Sequence, residues 1–188
     1  GGIGTSLELY PDVTKVREKE FKATFEIKAK ALYGQIPFAI RMMKEILTAS
    51  KLDDEKRLKE ILSMTKTRLQ DRFLSAGHSA AALRAMSYKS PISKFKDTTN
   101  GIGYYQNIRE MEEHFEDKKE EITNSLKALA ELIFRKGNMM ISYTATREGL
   151  AVLEEEIGSL KEALYPEIIY CEGEKDGVAV EVAMQHND

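Results

Sequence analysis

The chain has 188 residues, 42% of them hydrophobic and 31% charged, with 28 Lys and Arg against 31 Asp and Glu. A formal charge of −3 argues against a strongly basic nucleic-acid binder and a polybasic membrane binder. A single cysteine, Cys171, excludes an intramolecular disulfide framework and fits a reducing compartment. No run approaches the ~18 consecutive apolar residues of a bilayer span, so neither nucleic acid nor membrane is an expected partner.

The length suits one domain, or one domain with an appendage. The opening residues Gly1-Gly2-Ile3-Gly4 carry neither an initiator methionine nor a signal-peptide pattern, which suggests a piece of something longer. Ile3 to Tyr10 is a short alternating run that ends on the turn signal Pro11-Asp12. Phe21 to Ala31 then alternates without a slip. Phe21, Ala23, Phe25, Ile27, Ala29 and Ala31 fall on one face, and Lys22, Thr24, Glu26, Lys28 and Lys30 on the other. The pattern predicts a strand with one buried and one wet face, partnered by the first run in a hairpin or meander.

From Gln35 the period becomes helical, with Ile36, Phe38, Ala39, Met42, Met43, Ile46 and Leu47 in one stripe and Pro37 in a first turn. Asp53, Asp54 and Glu55 mark a second helix start, and Leu58, Ile61, Leu62, Leu69 and Phe73 continue its stripe up to a break or cap at Gly77. The Ala80–Met86 run reads as further helix. Ser90-Pro91 to Asn100-Gly101-Ile102-Gly103 reads as the best loop in the chain. A long helical region follows on Met111, Phe115, Ile122, Leu126, Leu129 and Ile133, stopped at Gly137-Asn138. Met139 to Thr144 reads as a short buried strand, and Leu150, Leu153, Ile157, Leu160 and Leu164 as an amphipathic helix ended by Tyr165-Pro166. Two apolar runs near Ile168 and Val178 are candidate strands. The expected fold class is α+β: an antiparallel or mixed sheet with a helical layer on one face.

Hydrolytic or redox chemistry needs His, Cys, Asp or Glu clustered at spacings a fold can converge, and the sequence shows no such catalytic constellation. His78 sits at the helix break, where a capping-region polar residue is the simpler reading than a ligand or base. His114 lacks the second histidine four residues away that a zinc helix requires, and His186 lies three residues from the end. Cys171 has neither a partner cysteine nor a nearby histidine in sequence. Gly1-Gly2-Ile3-Gly4 and Gly101-Ile102-Gly103 lack the further residues of a phosphate loop. Lys51, Lys56, Arg57, Lys59, Lys66, Arg68 and Arg72 are interleaved with Asp53, Asp54, Glu55, Glu60 and Asp71, which reads as a mixed solvated face. The eight methionines sit on apolar stripes and read as core filling. No catalytic or metal residue is expected in this chain.

Several local patterns nevertheless occur in a familiar order. Gly1-Gly2-Ile3-Gly4-Thr5, the strand Phe25 to Leu32, Arg72-Phe73-Leu74-Ser75-Ala76-Gly77-His78-Ser79-Ala80-Ala81-Ala82, Tyr88-Lys89-Ser90-Pro91 and Gly101-Ile102-Gly103-Tyr104-Tyr105 make the set. Together they resemble the C-terminal half of the presequence-protease branch of the pitrilysin/insulinase superfamily of zinc metallopeptidases. The resemblance covers residues 1–166, as part of the third of four homologous α/β domains, incomplete at its N-terminus; residues 167–188 would be a linker or tail. It implies a metalloprotease-like fold and a non-catalytic piece that forms part of the wall and inter-domain interface of a peptide chamber. In that family zinc is held by an inverted H-x-x-E-H helix in the first domain, so the resemblance implies no cofactor in this chain and an inactive fragment of an active parent. It also implies peptide substrate and the remaining parent domains as partners, with the cytoplasm as the expected compartment.

The charged face of the long strand meets this implication. Lys22, Thr24, Glu26, Lys28 and Lys30 cannot lie under helices without burying unpaired charge, at several kcal/mol each. A water-filled chamber satisfies them, and this face is the candidate substrate contact; an ordinary solvated sheet face is the alternative. A sheet edge left open by missing upstream strands predicts a homo-oligomer of the isolated piece. The competing function is a stand-alone helix-rich interaction module that docks a partner on the Leu150–Leu164 stripe.

Overall fold

Strict alternation commits both N-terminal runs to extended backbone, and each finds its partner in the other. The structure, a computed structural model, describes residues 2–11 and 21–167. Strand β1 (Gly2–Pro11) runs antiparallel to β2 (Phe21–Lys30) in a two-stranded sheet, with Ser6 opposite Glu26, Leu7 opposite Phe25 and Tyr10 opposite Lys22. The apolar parity of β2 is not a buried face, which corrects the expectation from the alternation: Leu7 is 46% and Phe25 41% exposed. Two aromatic contacts tie that face to the helical part. Phe21 meets Phe95 edge-on at 5.3 Å between ring centres, and Phe25 leans on Phe134 at 5.5 Å. Two strands present too little facing surface to seal a core.

After a single 3-10 turn at Tyr33–Gln35, helix α1 (Ile36–Ala49) begins with Pro37 in its first turn, where the missing N–H costs nothing. Helix α2 (Glu55–Ser87) is capped by Asp54, whose carboxylate accepts from the Arg57 N–H at 2.9 Å. Gly77 does not end it. The backbone leaves helical geometry at Ala76 (φ −139°, ψ 38°) and regains it through the alanine-rich run.

The expected loop at 90–103 is instead helix α3 (Pro91–Asn100), a tight elbow at Gly101 and the start of α4 (Ile102–Glu113). Ser90 and Pro91 are turn formers that also start helices. Ser90 Oγ accepts from the Ser93 N–H at 3.4 Å, and Pro91 stands in the first turn. The backbone leaves the helix at His114 (φ −111°, ψ 31°), and α5 (Phe115–Ile133) follows. It stops ahead of Gly137, which lies in a 3-10 turn at Lys136–Asn138. Met139 to Thr144 is not the expected strand: it pairs with no strand among the described residues, and Met140 is 81% exposed. Helix α6 (Arg147–Ala163) closes the described chain.

The helices form two cores. Leu62 and Leu69 of α2, Ile108 of α4 and Phe115 of α5 make the first, flanked by Leu58, Phe73, Tyr104, Tyr105, Met111 and Ile122. Ile40 of α1 with Leu153 and Leu160 of α6 make the second, flanked by residues that include Met139 and Tyr143. The ends of α5 and α6 are joined by reciprocal backbone bonds, Lys136 N–H to the Tyr165 carbonyl and Tyr165 N–H to the Phe134 carbonyl, both at 2.9 Å. The fold is helix-rich α+β with a small antiparallel sheet. The runs near Ile168 and Val178, Cys171 and His186 lie outside the described residues.

Candidate functional site

Register decides what shares the charged face of the hairpin. On β2 it carries Lys22, Thr24, Glu26, Lys28 and Lys30; on β1 the opposite residues are Tyr10, Glu8, Ser6, Gly4 and Gly2. The structure draws three of the five candidates into one cluster around Glu26. The Tyr10 hydroxyl donates to Glu26 Oε1 at 2.6 Å, Thr24 Oγ1 donates to the same oxygen at 3.4 Å, and Lys28 Nζ lies 2.8 Å from Glu26 Oε2. Lys28 also reaches Glu8 Oε1 at 3.5 Å. Lys22 and Lys30 form no ion pair among the described residues and stand at opposite ends of the strand.

The charges are mutually tuned. Lys28 and then Tyr10, both donating to it, hold the Glu26 carboxyl below the ordinary glutamate range. The same carboxylate raises the Lys28 amine and holds the Tyr10 hydroxyl above its ordinary value. Glu26 therefore stays ionised and Tyr10 stays a donor at neutral pH. The result is a fixed polar patch with a lysine at each end. It has donors and acceptors for binding an extended chain but no nucleophile paired with a base. Tyr10 and Glu8 were absent from the sequence-based candidates, although counting β1 at period two from Gly4 would have found them.

A second polar cluster sits at the α3–α4 elbow. Asp97, 1% exposed, accepts from Arg84 Nη1 of α2 at 2.6 Å, from the Ile102 N–H at 3.0 Å and from the Gly103 N–H at 3.2 Å. It caps α4 from the last turn of α3. A Cβ on Gly103 would stand 2.7 Å from Asp97 Oδ2, and one on Gly101 2.8 Å from the Asp97 Cα. The Gly101-Ile102-Gly103 spacing is thus explained by close approach to a carboxylate, not by a phosphate. Asp97 could not be singled out from a segment read as loop.

His78 is exposed on α2, and His114 is exposed at the joint between α4 and α5. Basic residues of α2 pair with acidic ones in a mixed face, Lys59 with Glu116 at 2.9 Å, Lys66 with Glu112 at 2.6 Å and Arg57 with Glu60 at 3.1 Å. Among the described residues no group of three or more His, Cys, Asp or Glu is placed to hold a metal ion. No described helix is long and apolar enough to cross a membrane.

The sequence model of the family described as Peptidase M-16C associated matches residues 1–111, a stretch that holds the hairpin, α1, α2, the elbow and most of α4. The chain belongs to this peptidase-associated family. It is 32% identical over 157 residues to Protein HypA of Clostridium perfringens (strain 13 / Type A), covering 84% of this chain and 16% of that protein. It is 21% identical over 165 residues to Presequence protease 1, chloroplastic/mitochondrial, of Arabidopsis thaliana, covering 87% of this chain and 15% of the relative. Identity to the mitochondrial presequence protease of Mus musculus is 23% over 157 residues, with 84% and 15% covered. The matches assign the chain to the peptidase-associated C-terminal region of pitrilysin-type peptidases. It spans 15–16% of the length of these curated relatives. A peptidase-associated, non-catalytic region is the function that follows.

Proposed function

We propose that this chain is part of the third domain of a zinc-dependent peptide-degrading metallopeptidase, with residues 1–166 in the domain and 167–188 as linker or tail. In this reading the charged face of the hairpin lines the chamber that receives peptide, and other parts of the parent cover the hairpin's edges and its phenylalanine face. The observation that carries it is a hairpin exposed on both faces, within the segment that matches the family. A two-stranded sheet with half-exposed Leu7 and Phe25 needs neighbours, and a fixed polar patch needs water. The described residues do not supply a zinc site, so no catalytic step is assigned to them. Peptide and the remaining parent domains are the proposed partners. The proposed compartment is the cytoplasm, supported by a single cysteine that leaves no intramolecular disulfide.

Reversing charge at Lys28 and Lys30 together in the full-length peptidase tests the chamber face. The expected result is a severalfold change in peptide KM with kcat retained; unchanged kinetics would sink the assignment. Among the described residues β1 and β2 pair only with each other, which leaves each strand one open edge. The 188-residue piece alone is therefore proposed to self-associate. A clean monomer at high concentration by size exclusion with light scattering counts against it. The interaction-module alternative loses its docking stripe: Leu153, Leu160 and Leu164 are buried within the chain, the first two in the core they share with α1.

A further inference from the structure

A helix of 33 residues seldom bends without a cause, and α2 supplies three at one place. Ala76 leaves helical geometry. Ser75 Oγ donates to the Arg72 carbonyl at 3.1 Å, a local bond of the kind that competes with the backbone ladder and bends helices. Gly77 follows, and a Cβ there would have nothing within 4 Å. Packing does not require glycine at 77; what glycine supplies is a low cost of leaving the helix.

The two limbs on either side of this break are held differently. Every α2 residue in the first core, Leu58, Leu62, Leu69 and Phe73, precedes it. The C-terminal limb has no buried residue, and Leu74 at the break is 87% exposed. Both limbs nevertheless reach one short stretch of the elbow. From the first limb, Arg72 donates through Nη1 to Asn100 Oδ1 at 2.6 Å and through Nη2 to the Asn100 carbonyl. From the second, Arg84 donates to the buried Asp97.

We propose that the Ala76–Gly77 break is a hinge, and that Arg72 on Asn100 and Arg84 on Asp97 fix its angle from its two sides. Releasing either arginine lets the C-terminal limb of α2 tilt over the α3–α4 elbow while the first core stays closed. The arginines are positioning residues: they act on the backbone of 75–79 through the elbow. The inference is independent of the chamber reading.

Hydrogen exchange by mass spectrometry on the full-length peptidase tests it, read on peptides spanning 74–80 and 58–69. In the unaltered protein the 76–79 amides exchange at least tenfold faster than those of 58–69. Arg84→Gln raises exchange at 76–79 at least tenfold more than at 58–69, where the lost donor to buried Asp97 is read only as lowered global stability. Arg84→Lys returns part of the protection, and Gly77→Ala slows exchange roughly threefold. Uniform exchange along α2 overturns the hinge. So does a rise in Arg84→Gln that spreads equally over both peptides, because that is loss of global stability. Should Arg84→Gln fail to fold, Arg72→Gln, which breaks an exposed contact, gives the same local rise at smaller size; no rise in that variant also overturns the proposal.

Discussion

Two carboxylates in this chain each gather three donors in opposite surroundings. Glu26 of the hairpin takes Lys28, Tyr10 and Thr24 in contact with solvent, while Asp97 of the elbow takes Arg84 and two backbone N–H groups at 1% exposure. Water can replace any donor that Glu26 loses. Nothing can replace those of Asp97, since a buried charge without partners costs several kcal/mol. The hairpin cluster therefore decorates a surface, and the elbow cluster builds the junction of three helices.

The largest effect expected from this contrast is at the elbow. Asp97→Ala leaves two helix-start N–H groups and Arg84 without an acceptor and is expected to cost about 3–5 kcal/mol, read as a lowered denaturation midpoint at unchanged m. A loss below about 1 kcal/mol would erase the distinction between the clusters. Gly103→Ala places a methyl 2.7 Å from Asp97 Oδ2 and 3.4 Å from Arg84 Nη1. Because that carboxylate is pinned by three bonds, about 1–3 kcal/mol is expected from overpacking, and the alanine variant of an open site such as Gly77 serves as the contrast in the same melt.

Smaller still is the pH response of the hairpin. Its Glu26 carboxyl is depressed, so the cluster's contribution is present above the ordinary glutamate range and lost as pH falls through the lowered value. The Tyr10 hydroxyl is raised, so its share holds below 10.0, its ordinary value, and is lost as pH climbs through the raised one. Carboxyl NMR should show Glu26 titrating below its usual range, with the shift shrinking in salt; a midpoint at or above the usual value would dissolve the cluster. Least of all should melting temperature respond to reversal of Lys30 alone, which forms no ion pair among the described residues, so a change in peptide KM in that variant is a binding effect.

Periodicity was readable wherever one rule acted alone. The alternation of Phe21 to Lys30 forms a strand and the α1 and Leu150–Leu164 stripes form helices as expected, although α1 turns Ile40 into the core and leaves Phe38 and Ile46 exposed. It failed where one residue type serves two purposes. Ser90-Pro91 and Asn100-Gly101 read as a loop because the same residues that make turns also start and separate helices. Met139 to Thr144 read as a strand because Met139 and Tyr143 contribute to a core without a strand to pair with. On the charged face, the five β2 residues were legible from parity, and Tyr10 and Glu8 were legible by the same count along β1, whereas the register decided which β2 residue each one faces.

By itself the sequence determined the helix-rich α+β class, the two paired strands, the parity of the charged face and the family resemblance, because each rests on local spacing. Only the tertiary structure decided that the phenylalanine face is half-open and that Asp97 holds Arg84 and the first turn of α4. Those outcomes depend on which distant groups arrive to fill a donor or cover a ring, and no local spacing encodes who arrives.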